Sequence, residues 1–336
     1  MSLSDIKNNN KYISEKINMK EYEIGMKIGK INFGIVAFCK KISTKKLFSL
    51  KIYKKAVIIH NKFAEYIYNE YTNLMQIYHP FITEFNGIYT KDPKYLFLLF
   101  EYILGEPLKY YLKKNKKFPL EDARFYIASL VTVFDYLHKK NIIYRGLKLD
   151  NILLNSNGYI KLSDFTFSKK FKAYSDYTYS LVGNIEYYSP EMINQTGYNI
   201  SIDFWQLGIL LYEMLVGNTP FADSDPMKLY QKIKKGKIIF PKDINKSAKF
   251  IIKHFLIVDV KKRLGCTKKG ILEIVQEPFF QDFDWEKLLH RTLEPPFIPQ
   301  VNRANFIFNS KYFEESNVFE ENDVAIPKEK DIFYNW

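Results

Sequence analysis

The segment YRGLKLDNILL (144–154) combines side chains that can handle phosphate and metal ions. Lys148 can pair with a phosphate group, and Asn151 carries an amide oxygen of the kind that Mg²⁺ accepts as a ligand. A second oxygen donor, Asp164, follows a short hairpin with its turn at 155–158. Each of these side chains alone is also typical of a turn or a cap. Their order in the chain favours a site for Mg²⁺ bridged to phosphates.

Two charged residues upstream, a lysine and a glutamate, each lie in an apolar segment and each need a partner. Lys51 lies inside the apolar run LFSLKIY (47–53), where an unpaired ammonium group is costly to bury. Glu70 lies in a segment with helical spacing of apolar residues, on the same stripe as Phe63, Ile67, Leu74 and Ile77. We therefore predict that Lys51 and Glu70 form an ion pair. Partial exposure of both side chains is the alternative.

The segment KIGKINFGIV (27–36) joins two predicted strands and keeps two glycines, Gly29 and Gly34, with Ile31 between them. A hairpin turn explains the two glycines as well as a phosphate-binding loop does. Backbone N–H groups of such a loop can nevertheless approach phosphate oxygens. Ile31 would leave less room for that approach and would weaken the binding of phosphate.

Composition limits the class of protein. The 336 residues are enough for two lobes with buried cores, and the two cysteines exclude a disulfide framework. We find no apolar core of a secretory signal and no membrane-spanning run, so a cytoplasmic protein is expected. The net charge of +13 comes from scattered lysines. Solvated lysine faces are therefore favoured over nucleic-acid binding.

The pattern of elements predicts a small sheet lobe followed by a larger helical lobe. Runs of β-branched and aromatic residues predict strands at 22–28, 35–39, 47–53 and 95–102. Apolar residues at helical spacing predict helices at 61–78, 120–140, 201–217 and 247–258.

Together these segments resemble the motifs of the eukaryotic protein kinases. The resemblance covers about 21–300 and includes the catalytic loop YRGLKLDN, the metal motif DFT (164–166) and the motif SPE (189–191) that closes the activation segment. The tail FQDFDWEKLLHRTLEPPFIPQV is similar to that of the AGC group, in particular of the cAMP- or cGMP-dependent kinases. The terminal FYNW either docks on the small lobe, as in such tails, or is solvated.

The resemblance implies an α+β, bilobal protein kinase fold with an AGC-type C-terminal tail. The expected divisions are a polar N-terminal extension, a small lobe, a large lobe and the tail, at 1–20, about 21–102, about 103–280 and 281–336. Residues 21–280 together would form the kinase domain.

ATP and Mg²⁺ are the cofactors that the resemblance implies. Lys148, Asn151 and Asp164 would be the catalytic residues, and the last two would hold the metal. The residues expected to bind the nucleotide are Gly29, Gly34, Val36, Ser49, Lys51, Glu70, Phe100 as gatekeeper, Glu101 and Ile103 at the hinge, and Leu153.

The resemblance also implies regulatory and peptide-binding residues. Ser180 falls at the position of the activating phosphothreonine, with Arg145 and Lys169 placed to pair with a phosphate there. Asp203 and Arg263 are similar to residues that brace the activation segment. Three carboxylates match those that select arginine-rich peptides: Asp150, Glu186 and Glu213. Pro107, next to Glu106, occupies the position that usually binds a more distant arginine.

Four positions depart from the family's pattern: Gly146 in place of the catalytic aspartate, Ile31, Thr166 and Asn184. Glycine can neither accept nor orient a substrate hydroxyl, a contribution worth roughly 10²–10⁴-fold in rate. Positioning and electrostatics carry most of phosphoryl transfer, so Mg·ATP binding is expected to survive.

We therefore predict a pseudokinase, a nucleotide-binding signalling switch or scaffold that works through a protein or peptide partner. An active but slow Ser/Thr kinase acting on basic-context substrates is the alternative. A basic nucleic-acid-binding protein rests on charge alone and is largely discarded, and no membrane anchor is expected. Cyclic-nucleotide control would require a separate regulatory subunit, since no such binding domain fits in the chain.

Overall fold

The computed structural model describes residues 16–173, 176–300, 318–319 and 323–336. These residues form two compact units. The first contains the described residues of 16–78, 84–102 and 318–336, and the second contains 79–83 and 103–300. Residues 1–15 of the predicted N-terminal extension, and residues 301–317 and 320–322 of the predicted tail, lie outside the described residues.

The first unit is built on an antiparallel sheet in the order β1-β2-β3-β5-β4. Its strands are β1 Tyr22–Ile31, β2 Gly34–Lys41, β3 Leu47–Lys54, β4 Phe85–Tyr89 and β5 Tyr95–Glu101. The four predicted strands are confirmed. The sequence did not indicate β4, because FNGIY is short and contains asparagine and glycine, which are depleted in strands.

Two helices follow β3, and the helix predicted over 61–78 corresponds to the second of them. α1 spans Lys55–His60 and α2 spans Ala64–Leu74. The chain turns between them, and Lys62 adopts a left-handed φ of 56° that ends any continuous helix. The predicted start and end were therefore wrong, although the stripe that carries Ile67, Glu70 and Leu74 is buried as expected.

The two faces of this sheet have different characters because side chains alternate along each strand. One face belongs to an apolar cluster that includes Ala37, Cys39, Leu50, Ile52, Phe97, Leu99 and Val318. The register pairs Val36 with Lys51 and Ser49 with Phe100, which places these four residues on the opposite face. The sheet thus separates a side with an apolar cluster from a side that carries the buried Lys51.

The C-terminal residues dock on the first unit. Lys55 is fully buried, and its Nζ donates to Thr90 O at 2.7 Å, to Asp92 O at 2.8 Å and to Asp331 Oδ2 at 2.5 Å. Phe333 is fully buried, and the ring of Trp336 packs against Tyr68 and Tyr71. The docked alternative for FYNW is therefore the one observed.

The second unit is mainly helical. Its helices are α3 Leu108–Asn115, α4 Leu120–Lys139, α5 Pro190–Ile193, α6 Ser201–Val216, α7 Pro226–Lys235, α8 Lys246–Phe255, α9 Ile271–Val275 and α10 Trp285–His290. Its short strands are β6 Gly105–Pro107, β7 Ile142–Ile143, β8 Ile152–Asn155, β9 Ile160–Leu162 and β10 Lys169–Lys170. They pair in the orders β6-β8-β9 and β10-β7.

The core of the second unit is α6, which packs against α4 and α8. Nearly every residue of α6 is buried, and the helix ends at Gly217, whose φ of 97° is readily adopted by glycine. α4 begins with Glu121 and Asp122 and ends with His138 and Lys139, charges that suit the helix dipole. The helices predicted at 120–140 and 201–217 are confirmed, whereas the one predicted at 247–258 ends earlier, at Phe255.

Within the described ranges, no helix has both the length and the apolar character needed to cross a bilayer.

The buried Lys55–Asp331 pair predicts a strong dependence of stability on the C-terminal residues. Asp331→Ala leaves a buried ammonium group without its counterion, which typically costs about 3–5 kcal/mol. Thermal and urea unfolding of the purified protein measure the loss. Glu329→Ala, an exposed change in the same segment, should leave stability nearly unchanged. Equal stability of the two variants would contradict this role for the pair.

Candidate functional site

The predicted ion pair of Lys51 and Glu70 is present in the first unit. Lys51 Nζ lies 2.5 Å from Glu70 Oε1, and both side chains are buried. The second carboxylate oxygen of Glu70 accepts a hydrogen bond of 3.0 Å from the hydroxyl of Tyr53. Sequence reasoning missed Tyr53, although its spacing of two residues from Lys51 puts both on the same face of β3. The ammonium group also lies 5.6 Å from the ring centroid of Phe100, the predicted gatekeeper.

The two glycines of the β1–β2 hairpin differ in how much space a side chain would have. A Cβ at Gly34 would lie 2.3 Å from Ile52 O, so the close approach of β3 requires glycine there. A Cβ at Gly29 would make only an ordinary contact of 3.8 Å with Val36. Packing therefore accounts for Gly34 and not for Gly29, and binding of phosphate by this loop stays a prediction.

Backbone carbonyl groups at the predicted hinge already accept hydrogen bonds within the protein. The hydroxyl of Ser49 donates to Glu101 O at 3.1 Å, and Gly105 N donates to Ile103 O at 3.1 Å. A carbonyl oxygen has two lone pairs, so each could accept one further bond. The other predicted pocket residue, Leu153, is half-buried in β8 of the second unit.

The predicted catalytic loop is hydrogen-bonded to a buried carboxylate of α6. Asp203 is fully buried and accepts hydrogen bonds from Tyr144 N at 3.1 Å and Arg145 N at 3.0 Å. Its Oδ2 also lies 2.8 Å from Nε2 of His138. Arg145 has a left-handed φ of 63°, a strained conformation for a non-glycine residue, and these bonds hold it. Asp203 is thus the residue that fixes the start of the loop.

Gly146 is buried, and the peptide group that joins it to Leu147 is hydrogen-bonded at both its N–H and its carbonyl. Leu147 N donates to Gln206 Oε1 at 3.3 Å, and Asn151 Nδ2 donates to Gly146 O at 2.8 Å. A Cβ at Gly146 would lie 3.5 Å from the ring of Tyr144 and 3.7 Å from Asp164 O, both ordinary contacts. Neither packing nor backbone conformation therefore requires glycine at this position.

The predicted metal ligands, Asn151 and Asp164, lie in the second unit close to this loop. The hydrogen bond to Gly146 O uses the amide nitrogen of Asn151, so Oδ1 is the atom that would bind a metal. Asp164 Oδ1 accepts a hydrogen bond of 2.6 Å from the hydroxyl of Thr166. Thr166, one of the four residues that differ from the family's pattern, therefore contacts a predicted metal ligand directly. An amide and a carboxylate oxygen fit Mg²⁺ that is completed by phosphates and water.

No group of three or more His, Cys, Asp or Glu side chains suited to a metal occurs in the described part of the chain. The predicted pair contains only one side chain of these types, so Mg²⁺ binding stays a prediction. Lys148, the third predicted catalytic residue, is half-buried just before the 3₁₀ turn Leu149–Asn151.

The cations expected to pair with a phosphate on Ser180 contact its neighbours. Arg145 is buried and donates from NH1 to the hydroxyl of Tyr198 at 3.3 Å, and that hydroxyl donates to Ser180 O. Lys169 Nζ donates to Thr178 Oγ1 at 3.1 Å. Phosphorylation of Ser180 stays a prediction, and an always unmodified Ser180 in protein from its native cells would refute it.

The end of the activation segment is braced as expected. Arg263 NH1 and NH2 donate to the two carboxylate oxygens of Glu191 at 2.6 and 2.9 Å, and both side chains are buried. Asn184, one of the four departures, accepts a hydrogen bond of 3.1 Å from Glu186 N and caps the 3₁₀ turn Ile185–Tyr187.

The three carboxylates predicted to select arginine differ in their availability. Asp150 is exposed, and Glu186 accepts a hydrogen bond of 3.1 Å from the hydroxyl of Thr219. Glu213 is buried in α6 and forms an ion pair of 2.7 Å with Lys109 of α3. Sequence reasoning missed Lys109, because nothing in the local pattern of α3 connects it with a glutamate 104 residues away.

Comparison with known proteins identifies the family: residues 22–280 match the protein kinase domain. The chain belongs to the protein kinase family. The α+β bilobal fold class predicted from the sequence is confirmed, with a β-sheet unit and a helical unit.

Similar proteins include catalytic subunits of cAMP-dependent protein kinases. The Dictyostelium discoideum subunit is 36% identical over 309 residues, which cover 92% of this chain and 47% of the relative. The Drosophila melanogaster catalytic subunit 3 is 37% identical over 287 residues, 85% of this chain and 48% of the relative. The chain thus spans about half the length of these two kinases. The human catalytic subunit PRKX is 35% identical over 322 residues, 95% of this chain and 88% of the relative.

The Arg263–Glu191 pair predicts how stability depends on pH. Burial by itself would raise the pKa of Glu191, but hydrogen bonding to Arg263 and its charge lower the pKa below the ordinary value. The folded protein therefore binds this proton less tightly than the unfolded chain does. The pair stabilises the fold above the unfolded pKa, and its contribution is lost as pH falls through the folded pKa.

Glu191→Gln should accordingly lose about 3–5 kcal/mol of stability at neutral pH, because it leaves the buried guanidinium group without a counterion. Its remaining stability should fall less steeply on acidification than that of the wild type. Urea unfolding between neutral pH and about pH 3 measures both effects. The exposed change Glu286→Gln serves as control. Parallel pH profiles for wild type and Glu191→Gln would refute this assignment.

Proposed function

We propose that this protein binds Mg·ATP but transfers phosphate weakly or not at all, and acts as a nucleotide-dependent signalling switch or scaffold. The observation that carries the proposal is Gly146, which stands where protein kinases place a catalytic aspartate, in a loop otherwise held in a defined conformation. An active but atypical Ser/Thr kinase is the second candidate, favoured by the retention of Lys51, Lys148, Asn151 and Asp164.

The residues proposed to bind the nucleotide already have defined environments. Lys51, held by Glu70, would pair with phosphate oxygens, and Lys148 would pair with the phosphate to be transferred. Asn151 and Asp164 would hold Mg²⁺ through one amide and one carboxylate oxygen. When bound, the metal ion supplies positive charge that neutralises the phosphates.

Loss of the base has a bounded effect. A positioned base contributes roughly 10²–10⁴-fold to rate, which corresponds to about 3–5.5 kcal/mol of activation free energy. Asp150 lies in the same loop but is exposed, and its proposed role is peptide binding. We therefore expect binding to persist while turnover is strongly reduced.

The relatives suggest the kind of partner. They are catalytic subunits of cAMP-dependent kinases, and we propose that this chain likewise works with a separate regulatory polypeptide that binds a cyclic nucleotide. A protein or peptide with basic residues would be the second partner. The division into a kinase domain at 21–280 and a tail at 281–336, and a cytoplasmic location, are part of the same proposal.

Mg·ATP is expected to stabilise the protein against thermal unfolding, by about 2.7 kcal/mol when the free ligand is at 100 times its dissociation constant. Chelation of the metal with EDTA should remove most of this shift, and Lys51→Ala should abolish it. Transfer of ³²P to an arginine-rich peptide should remain near background in the same preparation. Robust turnover that disappears in Lys51→Ala would overturn the pseudokinase proposal in favour of the active kinase.

Restoring the carboxylate tests the missing base directly. Gly146→Asp should raise the transfer rate by roughly 10²–10⁴-fold, because a side chain fits at this position. Gly146→Asn is the matched control, since it has nearly the same shape and no carboxylate. Equal rates in the two variants, with ATP binding retained, would reject the missing-base explanation and implicate Ile31, Thr166 or Asn184.

A further inference from the structure

The carboxylate of Glu213 is already bonded on both oxygens by the protein itself. Oε1 accepts from Lys109 Nζ at 2.7 Å, and Oε2 accepts from the hydroxyl of Tyr187. The side chain of Glu213 is only 5% exposed, whereas that of Lys109 is 36% exposed. Lys109 is thus the outer member of the pair and covers the buried carboxylate.

Lys109 also lies in the field of the other two carboxylates that were predicted to select arginine. α3 packs against the 3₁₀ turn Leu149–Asn151, which carries Asp150. Partial burial by itself would lower the pKa of Lys109, but the hydrogen bond and charge of Glu213, with the charges of Asp150 and Glu186, raise it above the ordinary value. The ammonium group is therefore charged at physiological pH and offsets the negative charge of these carboxylates.

A peptide arginine would have to displace this internal cation. Arginine gains most where its guanidinium group can pair with both oxygens of a carboxylate. At Glu213 one oxygen is bonded by the Tyr187 hydroxyl and the other by Lys109. An entering arginine would exchange one ion pair for another and would leave the displaced ammonium group to be solvated again.

We propose that Lys109 is a specificity-determining residue that occupies the arginine position on Glu213, so that peptide partners of this surface are not selected for arginine there. The proposal rests on the proposed function, because it requires that this surface receives a peptide. Recognition of basic residues then falls to Asp150, which is exposed, and to Glu186. Of the three carboxylates predicted to bind peptide arginines, two therefore remain available.

Removal of the internal cation tests the proposal. Fluorescence anisotropy compares binding of an arginine-rich peptide with that of a matched peptide in which citrulline, the neutral isostere, replaces each arginine in turn. Wild type should discriminate weakly at the position that faces Glu213. Lys109→Met should bind the arginine peptide at least about tenfold more tightly, and the citrulline peptide within about threefold of wild type.

Two controls isolate the cause. Lys114→Met removes the same charge from an exposed position of α3, so it reports the effect of net charge alone. Lys109→Arg keeps a cation on Glu213 and should behave like wild type. In the Lys109→Met background, Glu213→Gln should cancel the gain for arginine.

The outcomes separate this proposal from the proposed function. Stabilisation by Mg·ATP, measured in every variant, tests the nucleotide site and shows that each variant is folded. If Mg·ATP binds while Lys109→Met gains no arginine-dependent affinity, or gains no more than Lys114→Met, the inference about Lys109 is overturned and the proposed function stands. An arginine preference of about tenfold at that position in the wild type would overturn it equally.

Discussion

The candidate site depends on the hydrogen bonds that the buried carboxylate of Asp203 accepts. This carboxylate is fully buried and receives the backbone N–H groups of Tyr144 and Arg145 together with the ring of His138. A buried carboxylate is tolerated only when its lone pairs are satisfied, so the predicted catalytic loop must adopt the conformation that supplies these donors. Its position therefore depends on α6 and not on the side chain at 146.

This dependence explains how the loop keeps its conformation with glycine at position 146. The carbonyl of Gly146 still accepts from Asn151, and the next residue still donates to Gln206. Residue 146 contributes to these hydrogen bonds through its backbone carbonyl group, which every residue type provides. The chemistry of a base, in contrast, requires a side chain, and that is what glycine lacks.

Elsewhere in the described residues, three strongly buried cations are paired with carboxylates from a different part of the chain. Lys51 with Glu70, Lys55 with Asp331 and Arg263 with Glu191 are buried pairs of this kind. Lys109 with Glu213 is a partly exposed variant, and its more exposed member is a cation beside the carboxylates that were predicted to bind a peptide. The same kind of pairing that stabilises the fold thus alters the proposed specificity of the site.

The sequence by itself determined the family, most of the strands, the main helices and the Lys51–Glu70 pair. These follow from local patterns: alternation in strands, helical spacing, and an isolated charge in an apolar run that demands a partner. The helix predicted over 61–78 is present as α2 but begins later, because periodicity does not reveal the left-handed turn at Lys62. Only the tertiary structure decided that Lys109 covers Glu213 and that Lys55 binds Asp331, 276 residues away. Such pairs depend on how separate elements pack, and no local pattern encodes the distance between two side chains on different elements.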